Sequence, residues 1–197
     1  MDKHDAQKNN SSARYRKLSD PDLWLALTGG DKPALEALYR RYFVSLLNYG
    51  KAFGADEELV KDCIQDLFIK IYRNKELPAV RFVKSYLFRA LRNGLWDKQE
   101  SAVRKVPLEE MEFEIRIEDT ELASLFTGND DDLRLSRQLK NALAHLTANQ
   151  RNAIYLYYIQ EFSWAETAAI LKITPHSAMN LVGRAVIRLY ELMEEKK

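Results

Sequence analysis

The residues able to do covalent or acid–base chemistry are few and scattered along this sequence. None of the three histidines, His4, His145 and His176, has a Cys, Asp or Glu at a metal-ligand spacing. The sequence has no glycine-rich phosphate loop, nucleophile elbow or HExxH motif. Asp62 and Asp66 form a carboxylate pair, but most such pairs on a helix are a solvated face. An enzyme is therefore the least favoured class, and we expect no metal or other cofactor.

A basic stretch interleaved with aromatic residues points instead to nucleic acid. Residues 70–105 hold ten Lys and Arg against three Asp and Glu, a local balance of +7. Basic side chains neutralise phosphates, and aromatic rings stack on unpaired bases at ~1–3 kcal/mol each. Phe82 and Trp96, near the ends of the predicted helix, are expected to be exposed, whereas Tyr86 and Phe88 fit a helix core. The basic residues are Arg81, Lys84, Arg89, Arg92, Lys98, Arg104 and Lys105.

A second candidate surface is polar and acidic. Asp62, Gln65, Asp66 and Ile69 fall on one side of a predicted helix, away from its apolar stripe. Such a face suits a basic partner surface. An ordinary solvated helix exterior has the same composition, and these residues alone favour that simpler interpretation.

Residues 163–193 predict two helices joined by a tight turn. Ser163, followed three residues later by a glutamate, forms a capping box, and Thr174 with Pro175 begins the second helix. Ile173, in the turn, is expected to be a buried apolar plug. This is the layout of a helix-turn-helix, whose second helix lies in the DNA major groove, although an ordinary helical hairpin is the alternative. The core-facing stripe of the second helix is Ala178, Val182, Ala185, Leu189 and Leu192.

Caps, breakers and helical periodicity predict an all-α protein in two small helical domains. The first domain, residues 19–105, holds four helices, and the second, residues 133–197, holds four more, including the helix-turn-helix. An acidic linker, residues 106–132, joins them, with one basic against ten acidic residues and a period-two apolar pattern typical of an extended segment. Residues 1–18 are predicted to be a disordered tail.

Overall composition restricts the class of protein further. The formal net charge is only +1, which excludes a uniformly basic nucleic-acid binder. The single cysteine, Cys63, forbids an internal disulfide, suits a reducing compartment and fits a helix core. No apolar run approaches the length of a membrane span. We therefore expect a cytoplasmic protein without membrane insertion.

Four stretches, in order along the chain, resemble motifs of bacterial sigma factors. Residues 60–72, VKDCIQDLFIKIY, are similar to A-E-D-x-x-Q-D-x-F, and residues 86–97, YLFRALRNGLWD, to the W-L-x-x-I-A-R-N-x-x-x-D helix. Residues 146–151, LTANQR, are similar to L-P-x-x-x-R, and the helix-turn-helix follows in register. The resemblance is to the extracytoplasmic-function (ECF) group, which keeps only sigma regions two and four. It covers residues 19–101 and 133–193.

This resemblance implies a factor that binds core RNA polymerase and directs it to promoter DNA. Region two would dock on the clamp helices of the β′ subunit through Asp62, Gln65, Asp66 and Ile69. The loop at residues 75–83 and the following helix would hold the −10 element open around a flipped base. The residues assigned to −10 DNA are Arg81, Phe82, Lys84, Arg89, Arg92, Asn93, Trp96 and Lys98.

Region four would rest on the β flap and read the −35 element, and the acidic linker would thread the RNA-exit and active-site channel. The resemblance also implies an anti-sigma factor as a partner. The sequence departs from the family at Thr147, in place of proline, and at Thr167, in place of isoleucine. On the recognition helix, Met179 and Leu181 replace the basic or polar readers, and Gly183 replaces an aromatic residue. Weak or shape-led −35 binding is therefore expected. The residues assigned to −35 DNA are Arg151, Lys172, His176, Ser177, Asn180, Arg184 and Arg188.

Two other classes remain open from the sequence. A stand-alone helix-turn-helix regulator would bind duplex DNA alone, as a dimer, whereas a sigma factor binds polymerase as one copy. A pure interaction protein would use the acidic helix and linker and would bind no DNA. Promoter-dependent transcription with core polymerase separates the three.

Overall fold

A computed structural model of the protein describes residues 14–74, 80–100, 112–115 and 130–194. In these ranges the chain is helical apart from short connections and the extended segment 112–115. The chain divides into two compact units, the first comprising Met1–Gly50 and Ala55–Ala102, the second Lys51–Gly54 and Val103–Lys197. The labelled helices are α1 (Asp20–Thr28), α2 (Lys32–Lys51), α3 (Glu57–Arg73), α4 (Val83–Glu100), α5 (Asp130–Ala144), α6 (Ala148–Ile154), α7 (Trp164–Leu171) and α8 (Pro175–Glu194).

The first unit packs the amphipathic helices α1 to α4 around one apolar core. Ser19 caps α1 by accepting from the amide of Asp22, and Asp56 caps α3 by accepting from the amide of Glu58. The helices bury continuous apolar stripes, as their periodicity predicts. The largest fully buried side chains of this unit are Tyr49, Phe88, Leu23, Leu38, Leu46, Ile64, Leu87, Leu91 and Leu95.

A close approach at Gly50 brings the end of α2 against α3. A Cβ added to Gly50 would lie 2.3 Å from Cγ1 of Val60, so only glycine permits this contact. Val60 itself is completely buried. The contact holds in place the first turn of the helix that carries the acidic face.

The chain ahead of α1 is partly ordered, which corrects the predicted tail. Residues 14–17 are helical, and the Tyr15 hydroxyl donates to Oδ2 of Asp31 at 2.6 Å. Asp20 accepts from both Arg41 and Tyr42, which ties the start of α1 to α2. These long-range polar contacts have no periodicity signal in the sequence. The rest of the predicted tail, residues 1–13, lies outside the described residues.

In the second unit, local hydrogen bonds define each helix start. Thr147 and Gln150 form a capping box at α6, and Ser163 and Glu166 form one at α7. Thr147 thus begins its helix by capping, where the sigma family has proline. Thr174 Oγ1 accepts from the amide of Ser177 at the start of α8. The helix starts predicted at Ser163 and Thr174 depend on local chemistry, and the structure agrees with both.

The turn of the helix-turn-helix runs from the end of α7 to Thr174. Lys172 ends α7 in the left-handed conformation, with φ of 59°, and the amide of Ile173 donates to the Ala168 carbonyl. Ile173 is 38% exposed, so the prediction that it plugs the core was wrong. The plug is instead Ile170, which is completely buried one turn earlier.

The helical stretch at residues 148–159 is not one continuous α-helix. α6 ends at Ile154 and continues as a π-helical turn, Tyr155–Ile159, closed by a hydrogen bond from the Gln160 amide to the Tyr155 carbonyl. Glu161 then takes a φ of 57°. The wider turn changes which aromatic side chains of residues 155–158 face α7. The rings of Tyr157 and Trp164 stack there, with their centroids 3.7 Å apart.

The described part of the acidic linker is a docked extended segment. Phe113 is 1% exposed, with its ring centroid 4.9 Å from Phe53 and 5.6 Å from Tyr155. The amide of Glu114 donates to the Ala52 carbonyl at 2.7 Å. The period-two pattern is therefore explained by packing. Phe113 and Ile115 are buried in the second unit, while Glu112 and Glu114 stay exposed.

Candidate functional site

The acidic face lies on the solvent side of α3. Asp62, Gln65, Asp66 and Ile69 are all exposed, and Ile69 is 37% exposed. The opposite side of α3 carries buried residues, including Cys63, whose thiol pKa is raised by burial. The helix therefore presents two carboxylates, an amide and an isoleucine as one continuous patch, which we call the acidic face.

An ion pair joins the acidic face to the next helix. Lys98 Nζ of α4 lies 2.8 Å from Oδ2 of Asp66. The hydrogen bond from Lys98 holds the pKa of the Asp66 carboxyl below its usual range, and Asp66 raises the pKa of Lys98. Since both side chains remain well exposed, the pair stabilises the fold by at most about 1 kcal/mol. A residue assigned to polymerase and one assigned to DNA are thus in direct contact.

The basic and aromatic set on α4 is mostly accessible. Phe82 is 43% exposed at the start of the helix, with the Arg81 guanidinium 5.1 Å from its ring centroid. Tyr86 and Phe88 pack inward as expected: Phe88 is fully buried, and Tyr86 lies 5.2 Å from Trp24. The other accessible or partly accessible members are Lys84, Arg89, Asn93, Trp96 and Lys98.

Arg92 is the exception in this set. It is 3% exposed, on the side of α4 that carries Phe88 and Leu95 into the core. A buried guanidinium cannot reach a DNA phosphate without leaving the core, so we remove Arg92 from the −10 set. Arg89, three residues earlier, stays exposed, so two basic residues on neighbouring turns of α4 differ in burial.

The helix-turn-helix exposes nearly all the residues assigned to −35 DNA. Lys172 and His176 lie at the turn and the start of α8, while Asn180, Arg184 and Arg188 continue along the exposed side. Arg188 also pairs with Glu191 at 3.0 Å. The buried side of α8 carries Ala178, Val182 and Ala185, as predicted, whereas Leu189 and Leu192 are only partly buried.

Arg151 has a structural role instead. Its Nε donates to the Phe113 carbonyl, and its Nη1 lies within hydrogen-bond distance of the Ala144 and Leu146 carbonyls. Arg151 thereby joins the extended linker segment to the end of α5. Because its donors are directed at main-chain carbonyls, we also remove Arg151 from the −35 set. The burial of Phe113 and its contact with Arg151 were not predicted, although the alternation of apolar and charged residues around Phe113 was a signal for it.

The described residues contain no group of three His, Cys, Asp or Glu side chains placed to hold a metal ion. Within the same ranges, no helix is long and apolar enough to cross a membrane.

Comparison with known proteins identifies the second unit first. Residues 136–189 match the protein family described as "Sigma-70, region 4". This segment contains α6, α7 and most of α8, with Lys172 and the exposed residues of α8. The helix-turn-helix therefore lies within the region-four match.

Relatives extend the similarity to most of the chain. "ECF RNA polymerase sigma factor SigM" of Bacillus subtilis is 25% identical over 162 residues, covering 80% of this chain and 94% of the relative. "RNA polymerase sigma factor CarQ" of Myxococcus xanthus is 26% identical over 168 residues, covering 84% and 92%. Both alignments are too long for region four alone.

Solved structures share the fold. CnrH, in a structure described as a complex with the cytosolic domain of CnrY, superposes with a TM-score of 0.59 at 23% identity, covering 90% of this chain and 99% of CnrH. Sigma factor RpoE of Bartonella quintana, in complex with the anti-sigma factor NepR, gives 0.53 at 20%, covering 82% and 98%. These structures show a shared fold, and the relatives and the region-four match make the chain similar to extracytoplasmic-function RNA polymerase sigma factors over most of its length.

Proposed function

We propose that this chain binds core RNA polymerase as a single copy and directs it to a specific set of promoters. The observation that carries the proposal is the capped helix-turn-helix of α7 and α8, whose exposed side presents His176, Asn180 and Arg184 within the region-four match. A recognition helix with its polar side free is what duplex readout at −35 requires.

The acidic face is the proposed contact with core polymerase. Asp62, Gln65, Asp66 and Ile69 combine charge for steering with one exposed apolar side chain for burial. The β′ clamp helices are the proposed partner, from the resemblance of residues 60–72 to the family motif. The Asp66–Lys98 pair lies at the edge of this face, so Lys98 would be close to the bound polymerase.

The exposed end of α4 is the proposed −10 contact. Phe82 and the adjacent Arg81 offer a ring for stacking beside a cation for phosphate. Arg89, Asn93, Trp96, Lys84 and Lys98 extend this surface along the helix. Because a flipped base loses its stacking partners at a cost of a few kcal/mol, an exposed ring at this point helps to stabilise the open strand.

The proposal also concerns regulation and location. CnrH was solved with the cytosolic domain of CnrY and RpoE with the anti-sigma factor NepR, and we infer that an anti-sigma protein controls this chain as well. Its role is to initiate transcription without catalysing a reaction of its own. It would act where core polymerase works, in the cytoplasm.

Run-off transcription tests the proposed function directly. Purified core polymerase from the same host should yield promoter-dependent transcripts from genomic fragments only when the chain is added. Binding of the free chain to duplex DNA as a dimer, with no transcript, would favour a stand-alone regulator instead. A polymerase that is active with its own principal sigma factor but silent with this chain contradicts the proposal.

The docking surface has a sharper test. Asp62→Arg with Asp66→Arg reverses two charges on the acidic face, and we expect core affinity to fall at least tenfold while circular dichroism stays unchanged. Glu36→Arg is a matched control, because Glu36 is an exposed carboxylate paired with Arg40 on α2, as Asp66 is paired with Lys98. Equal core affinity in the double variant and the control would show that polymerase docks elsewhere.

A further inference from the structure

Gly183 stands in the middle of α8 without a structural reason. Glycine is the least favourable helix-interior residue after proline. Gly183 is exposed, its φ is not positive, and a Cβ added to it would meet nothing within 4 Å. Neither packing nor backbone conformation therefore explains the glycine, in contrast to Gly50, where a side chain would clash with Val60.

The position of Gly183 on the helix surface is informative. Helical residues three and four apart lie on the same side, so Gly183 belongs to the exposed row with Asn180 and Ile187, opposite the buried residues. Met179 lies one turn before Gly183 and is 44% exposed. The long apolar side chain of Met179 thus lies next to a gap on the solvent side of the recognition helix, the space left by the missing side chain of Gly183.

The surroundings of this gap are positively charged. Residues 172–190 contain three Lys or Arg and no Asp or Glu. The three cations, Lys172, Arg184 and Arg188, are exposed. This charge complements a polyanion, and we therefore take duplex DNA as the occupant.

We propose that Gly183 is where α8 approaches the −35 duplex most closely, and that Met179 contacts the 5-methyl group of a thymine there. A helix with its side chains is ~10–12 Å across and the major groove is about 12 Å wide, so a missing side chain lets the main chain sit deeper. Thymine presents its methyl group in that groove, and apolar side chains are its recognised partners. The inference rests on the proposed function, since it takes −35 DNA as the ligand.

Size-graded variants test the close approach. Gly183→Ala and Gly183→Leu should raise the thermal midpoint of the free protein, because both residues favour helix. Holoenzyme carrying them should bind a promoter with a −35 element at least fivefold and twentyfold more weakly, respectively. Binding to a −10 fork-junction template without the −35 duplex should stay at the wild-type level.

These outcomes separate the proposed function from the proposed close approach at Gly183. Wild-type holoenzyme that ignores the −35 element overturns both. Wild-type −35 dependence with unchanged binding by Gly183→Leu overturns the close approach alone. Loss on both templates also overturns it, because the defect would then lie outside −35 recognition.

The methyl contact is tested by DNA chemistry. Replacing each −35 thymine by uracil removes one methyl group, and at one position wild-type affinity should fall about threefold. Met179→Ala should lose that sensitivity, whereas Val186→Ala, an exposed apolar control further along α8, should keep it. Equal sensitivity in Met179→Ala and wild type, or none in either, overturns the role of Met179.

Discussion

At the scale of single residues, Thr167 shows how a buried hydroxyl affects the helix-turn-helix. Thr167 lies on α7, is completely buried, and its Oγ1 has no hydrogen-bond partner among the described residues. An unpaired buried hydroxyl costs about 1–3 kcal/mol. The sigma-family pattern has isoleucine here, in keeping with an apolar site.

Thr167→Val should therefore stabilise the protein by about 1 kcal/mol, because valine keeps the shape and removes the unpaired hydroxyl. Thr174→Val is the matched control. Thr174 Oγ1 accepts from the Ser177 amide at the start of α8, and losing that cap should destabilise by about 1 kcal/mol. Thermal and urea unfolding measure both, and a destabilised Thr167→Val would mean that the hydroxyl has a partner in solution.

At the scale of elements, the segment 112–115 and α5 to α6 depend on one another through Arg151. The guanidinium reaches the Phe113, Ala144 and Leu146 carbonyls, and the Ala144 carbonyl, at the C-terminus of α5, has no acceptor role within its own helix. The linker segment is thus a structural part of the second unit where it is described. Its exposed side is acidic and its buried side is apolar, so only the apolar side packs against the rest of the second unit.

Arg151→Met should separate a structural from a DNA-binding role. Hydrogen bonds from a charged donor are worth about 1.5–3 kcal/mol each, so we expect a loss of about 2 kcal/mol in unfolding free energy, given partial exposure. Below its unfolding transition, the variant should bind −35 DNA like the wild type. Lys172→Met should show the reverse, with normal stability and weaker DNA binding. Weakened DNA binding by folded Arg151→Met would restore Arg151 to the −35 set.

At the scale of the whole molecule, positive and negative charges are segregated into successive blocks of the sequence. The net charge is +1, but residues 70–105 carry +7, residues 106–132 carry −9 and residues 133–197 carry +4. Such segregation lets one chain present cationic surfaces to DNA without becoming uniformly basic. The salt dependence of holoenzyme binding is therefore expected to trace to a few exposed cations.

Arg184→Gln and Arg188→Gln should each reduce the slope of log K against log salt for a −35-containing promoter by about 0.9, the value for one phosphate contact. Arg134→Gln and Arg137→Gln are controls, because these arginines are also exposed but lie on α5. Filter binding of holoenzyme across a salt series gives the slopes. A larger change from the α5 pair than from the α8 pair would contradict the assigned orientation.

The sequence by itself determined the helices, their caps and the order of the motifs. Capping boxes such as Ser163 with Glu166 act within a single turn, and an apolar stripe repeats within one helix, so both can be recognised without knowing the fold. The acidic face of α3 was also predicted correctly as a surface, because its four residues lie opposite a continuous apolar stripe.

Tertiary structure decided which polar side chains are free to meet a partner. Arg92 is buried, Ile173 is exposed, and Arg151 donates to a carbonyl of Phe113, 38 residues away in the chain. Burial and hydrogen bonding of a side chain depend on neighbours supplied by distant segments, which no local pattern encodes. For that reason the helices and the family resemblance follow from the sequence, whereas the final membership of each contact surface required the fold.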